Sequence, residues 1–115
     1  MFRFERLDVW KRSIESTDVL FDLADELEEK RKYRFAEQLR GAVLSVSNNI
    51  AEGSGSCSNN EFKQFLNYSH RSVFETANMV VICNRRKYID DVERVKHLAE
   101  LEQISKMIVG FSRSL

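Results

Sequence analysis

Between Gln38 and Gly53 two stripes of different chemistry run side by side. Leu39, Val43, Val46 and Ile50 recur at helical spacing and make an apolar face. Gln38, Ala42, Ser45, Asn49 and Glu52 recur at the same spacing, one residue out of step. One residue is about 100° around a helix, so the second stripe lies beside the first. Ser45, Ser47, Asn48 and Asn49 are poor interior helix residues, because their side chains compete for the backbone. Such a run holds a helix only if neighbours pack on it and its polar groups find partners. Two arrangements satisfy that pattern: polar side chains hydrogen-bonded at the edge of a helical core, or a solvated polar face.

The rest of the sequence supplies partners of the same kind. A first helix is expected over about 8–29, with Asp8 as N-cap and a face of Leu7, Trp10, Ile14, Thr17, Phe21 and Ala24. Trp10 reads as a core anchor. A second helix covers about 35–53, stopped by Gly53 and Gly55. Ser54–Asn59 is the one clear loop. A third helix, about 59–86, opens with a capping box of Ser58 and Glu61 and turns Phe62, Phe65, Leu66, Ser69, Val73, Thr76 and Val80 inward. Asp90 with Glu93 caps a fourth, about 91–112, with Val92, Val95, Leu98, Leu101, Ile104, Ile108 and Phe111 on its face. Proline is absent, and the 115 residues suit one domain. Four helices with short connections must pack antiparallel, so the expected fold is all-α, an up-down-up-down four-helix bundle occupying 1–115.

Composition narrows the function classes. Eighteen basic residues balance eighteen acidic ones, so bulk charge gives no pull toward nucleic acid. Cys57 and Cys83 lack CxxC spacing and read as reduced thiols, which with no leader-like opening and no long apolar run suggests a cytoplasmic protein, off the membrane. His70 and His97 stand on different helices without a second ligand at metal spacing; His97 and Glu93, four apart, read as surface residues. Gly53-Ser-Gly55 follows a helix and is no phosphate loop. Glu52 and Glu75 could in principle form an acid/base pair, but a polar network of Gln38, Arg40, Ser45, Asn49, Glu52, Ser72 and Glu75 accounts for both. No catalytic residue, cofactor, metal or small-molecule substrate is therefore expected.

One constellation does point to a function. In an up-down-up-down bundle the first and third connections share an end. They carry Lys30, Arg31, Lys32, Arg34, Arg85, Arg86 and Lys87, with Tyr33 and Tyr88 among them. Seven cations and two rings could hold phosphates and stack bases. The plainer account is that cations suit the negative ends of two helix dipoles.

Gln38-Leu-Arg-Gly-Ala-Val-Leu-Ser-Val-Ser-Asn-Asn-Ile-Ala-Glu-Gly53 resembles the signature of a small bacterial four helix bundle family. The family includes proteins encoded in intervening sequences of large-subunit (23S) ribosomal RNA. The accessory variability protein of diversity-generating retroelements is similar. The likeness extends to the Phe4–Trp10 opening, Glu61-Phe62-Lys-Gln-Phe65-Leu66, Ser72 with Glu75, and Tyr88-Ile89. Ser47 stands where the family usually has proline, and Arg71 where it usually has glycine. The resemblance implies a four-helix bundle that assembles as a ring-like homopentamer, with nucleic-acid (RNA or DNA) binding in some relatives. Two functions remain in play: a non-enzymatic oligomer binding nucleic acid at its basic end, or a structural, protein-interaction oligomer that binds none.

Overall fold

The computed structural model describes all 115 residues, and they form four long helices: α1 (Asp8–Glu29), α2 (Tyr33–Ser54), α3 (Asn59–Arg85) and α4 (Asp91–Ser114). A short 3-10 turn, Arg3–Arg6, precedes α1. The helices stack side by side in an elongated body of 44 × 22 × 20 Å. Packing runs in chain order, α1 on α2, α2 on α3 and α3 on α4, while α1 and α4 close the ring of helices most sparsely. No helix is long and apolar enough to cross a membrane.

Helix ends follow local chemistry. The Ser58 hydroxyl accepts from the Glu61 amide at 3.2 Å, and the Asp90 carboxylate from the Glu93 amide at 2.8 Å, so both expected caps form. Asp8 is instead the first helical residue, and Leu7 holds the cap position. There the Asp8 carboxylate still opposes the positive end of the dipole. The second helix begins at Tyr33, two residues before its expected start.

Residues 45–52 are helical throughout, and the apolar stripe Leu39, Val43, Val46 and Ile50 is buried. Ser47 does not break α2; its hydroxyl donates to the Leu44 carbonyl at 3.3 Å. The α2–α3 contact is the most extensive between helices in the molecule, and small residues form part of it. The buried Ser69 hydroxyl crosses from α3 to donate to the Val46 carbonyl at 2.7 Å. Gly53 was expected to stop α2, yet it lies inside the helix, buried, and a Cβ there would stand 2.7 Å from the Phe65 Cβ and 2.8 Å from a Phe62 ring carbon. Its role is close approach, and α2 ends one residue later with Gly55 at φ −86, ordinary backbone.

Two faces differ from expectation. On α1 the core centres on Val9, Ser13, Ser16, Leu20, Leu23, Ala24 and Leu27, while Leu7, Trp10 and Phe21 flank it half-buried. Serines count as polar in a periodicity, but Ser13 returns its hydroxyl to the Trp10 carbonyl at 2.7 Å and so packs as a small residue. On α4, Val92 and Val95 point outward at 77% and 67% exposure, and His97 is buried instead. The His97 imidazole faces a cleft between α1 and α4 lined by Arg12, Glu15, Ser16, Lys96 and Glu100. Arg12 bridges that seam to Glu100 with two hydrogen bonds, the longer 3.0 Å, and holds the Glu100 carboxyl below its ordinary range. Burial pushes the His97 pKa down, with Glu93 acting against it.

Two predictions follow from this packing. Gly53→Ala forces Phe65 or Phe62 to move and should lower stability by about 1–3 kcal/mol, whereas Gly41→Ala, in the same helix with open space around it, should raise it by up to about 1 kcal/mol; thermal unfolding of both variants decides. The unfolded chain takes a proton at His97 more readily than the folded one does. Stability should therefore fall as pH drops through about 6.5, with a slope of at most about 1.4 kcal/mol per pH unit. Denaturant titrations between pH 5 and 7 should show that slope, and His97→Gln should remove it.

Candidate nucleic-acid interface

The first and third connections meet at one end of the bundle. The Lys30 ammonium donates to the Tyr88 carbonyl at 3.3 Å, the Lys32 ammonium lies 5.1 Å from the centre of the Tyr88 ring, and the Phe35 and Tyr88 rings pack edge to face at 6.2 Å. Lys30, Arg31, Lys32, Arg34, Arg85, Arg86 and Lys87 are thus brought together, all exposed.

The two turns are built alike. In the first, the Lys32 amide reaches back to the Leu27 carbonyl at 2.8 Å and the Arg31 amide to Glu28 at 2.9 Å. In the second, the Tyr88 amide reaches Cys83 at 2.8 Å and the Lys87 amide Asn84 at 2.9 Å. This is the Schellman arrangement, whose pivotal residue is left-handed and is usually glycine. Here the pivots are Arg31 and Lys87, each at φ 64. A side chain in that conformation costs about 1–2 kcal/mol. A cation stands at both places where glycine would be less strained.

Acidic residues share this end, but most are occupied. Arg40, half-buried on α2, binds Asp25 at 2.7 Å and Glu28 at 3.3 Å on α1, and Glu37 on its own helix. Those partners drive its pKa further up, the Asp25 hydrogen bond most of all. Asp90 caps α4, and Asp91 accepts from the Asn84 amide at 2.9 Å. Glu26, Glu29 and Glu93 remain without an ion pair and dilute the field. None of the seven cations has a carboxylate within 4.0 Å; every ion pair in the protein belongs to Arg12 or Arg40. Burial at the base of the same end pushes the Cys83 thiol up to about 11, with Lys30 acting the other way.

The polar residues of α2 and α3 divide into separate places. Asn49 donates to the Ser45 carbonyl and hydroxyl at 2.8 and 3.0 Å, and Ser72 crosses from α3 to Ser45 at 2.8 Å. Glu75 lines the same open cleft, with Tyr68 and Arg71, but is exposed. Gln38 and Glu52 are exposed and make no side-chain hydrogen bond, and Arg40 belongs to the α1–α2 ion cluster. Helical spacing aligned these residues along a stripe but could not tell which end of the stripe leaves the helix contact. The Arg40 cluster lies outside the reach of helical spacing because two of its three acids, Asp25 and Glu28, come from another helix.

A family model described as 23S rRNA-intervening sequence protein matches residues 5–110. The chain belongs to the 23S rRNA-intervening sequence protein family. A solved structure described as a protein of unknown function from the S23 ribosomal protein family of Bacteroides thetaiotaomicron is 21% identical, covers 90% of this chain and 97% of its own, and superposes with a TM-score of 0.86. That likeness shows the fold. No curated protein matches. In this member of the 23S rRNA-intervening sequence proteins, seven exposed cations share one end of the bundle, two of them in left-handed backbone.

Arg31→Gly and Lys87→Gly should each stabilise the protein by about 0.5–1 kcal/mol, the relief of left-handed strain exceeding the added freedom of the unfolded chain. Equilibrium unfolding in urea measures it. A loss of stability in either variant would show that the cation's contacts outweigh the strain.

Proposed function

We propose that this protein is a non-enzymatic, oligomeric four-helix bundle, cytoplasmic, that binds nucleic acid through the cationic end. The observation that carries the reading is the clustering of seven exposed cations, none ion-paired, on a chain with no net charge. Dipole complementarity accounts for cations near helix ends. It does not account for Arg31 and Lys87 at positions that favour glycine. RNA is the first ligand to test, since the family takes its description from an intervening sequence of 23S rRNA. Phosphate contacts dominate such binding, so each one contributes a slope of about −0.7 to −0.9 in log affinity against log salt. A ring-like homopentamer, as the family resemblance implies, would repeat the patch five times.

The second reading is a structural or protein-interaction oligomer without nucleic acid. It is favoured by apolar side chains left outside the core: Phe74 at 62% exposure beside an α3–α4 groove of about 240 Å³, and Val92 and Val95 on α4. The two readings share an oligomer and differ at the cationic end. The triple variant Arg85→Glu, Arg86→Glu, Lys87→Glu should abolish RNA and DNA gel shifts while leaving helicity and melting temperature near those of the parent. Unchanged binding would remove the cationic end from the function.

A further inference from the structure

We propose that Tyr33 is a stacking platform for an unpaired base, so that the cationic end takes single-stranded nucleic acid in preference to duplex. The proposal rests on the phosphate-binding reading above and adds the class of strand.

The two tyrosines of this end differ in what they are free to do. Tyr88 is committed to the fold: its ring packs edge-on against Phe35, the Lys32 ammonium sits over it, and its carbonyl accepts from Lys30. Tyr33 is 58% exposed, pairs with no other ring and makes no side-chain hydrogen bond. It is the first residue of α2, between Lys32 and Arg34, two residues beyond the left-handed Arg31. A single exposed ring is ordinary on a protein surface. This ring is set among cations that have no carboxylate partner in the protein.

The backbone adds a second feature at the same place. No side chain caps α2, and the amides of Tyr33, Arg34 and Phe35 have no acceptor within the protein. α3 and α4, by contrast, are capped by Ser58 and Asp90. Free amides at the positive end of a helix suit a phosphate oxygen. A phosphate held by the exposed Arg31 and Arg34, which stand on either side of Tyr33 in the chain, leaves the adjoining nucleotide beside the Tyr33 ring. An unpaired base can lay its face on that ring. In a duplex both faces of each base are covered by neighbours, and only the phosphates remain available. Duplex is then held by charge alone, while a single strand gains a stacked base as well. Alanine substitution of a stacking aromatic weakens binding by roughly 5- to 150-fold per base.

The test is fluorescence anisotropy of the full-length protein with labelled oligouridylate, oligothymidylate and a DNA duplex of mixed sequence, all at one salt concentration. Tyr33→Ala should weaken binding of both single strands about tenfold or more and leave the duplex within about twofold. Tyr33→Phe, which keeps the ring, should bind all three like the parent. Equal weakening on single strand and duplex, or no change on any probe, overturns the stacking role and leaves the phosphate-binding reading standing. A parent protein that binds none of the three probes overturns both, and so does a charge-reversed triple variant that binds as the parent does. Loss of single-strand binding in Tyr33→Phe would also overturn stacking, since the ring is still present.

Discussion

The close approach of α2 to α3 is the constraint on which the rest of the structure depends. Gly53 lets Phe62 and Phe65 lie against the α2 backbone, Ser69 bonds across to the Val46 carbonyl, and Ser72 meets Ser45. Small side chains allow the two backbones to approach, and the hydroxyls then satisfy their hydrogen bonds across the contact rather than in water. A helix rich in serine and asparagine would fray alone. Held against α3, it keeps its apolar stripe in the core and its register fixed.

That register brings the basic turns together. Once α2 and α3 are antiparallel, the α1–α2 and α3–α4 connections must share an end, and Tyr88 links them: its ring meets Phe35 and the Lys32 ammonium, and its carbonyl accepts from Lys30. Aromatic, cation–π and hydrogen-bond contacts thus hold the two turns together while the other cations of the end make no ion pair. Arg40 holds three carboxylates from beneath, one positive charge against three negative, so they are fixed in place rather than neutralised.

The opposite pole is built by different means. Phe62 and Phe111 pack edge to face at 5.4 Å, and the Arg3 guanidinium covers the Phe62 ring at 4.9 Å. The 3-10 turn is anchored there by Phe4 against Trp10 at 5.1 Å. Aromatic rings thus pack at both poles, and the cluster of seven cations lies at only one. The α1–α4 seam, bridged by Arg12 and Glu100 over the buried His97, is the most sparsely packed side of the bundle.

Much of this was written along the chain. Four helices, the caps at Ser58 and Asp90, the inward faces of α2 and α3 and the shared end of the basic turns all follow from spacing, capping chemistry and short connections, which are properties of one helix or of the path between two. Other features arose only when helices met. Ser13 and Ser16 belong to the core of α1 because a neighbour's side chains seal them in. Gly53 is a contact rather than a stop because Phe65 sits where its Cβ would be. Arg40 draws two of its three acids from α1, and Tyr33 is free where Tyr88 is not. Periodicity reports which residues share a face; which part of that face is covered depends on the distance and rotation of the partner helix, and those are set by side chains far away in the sequence.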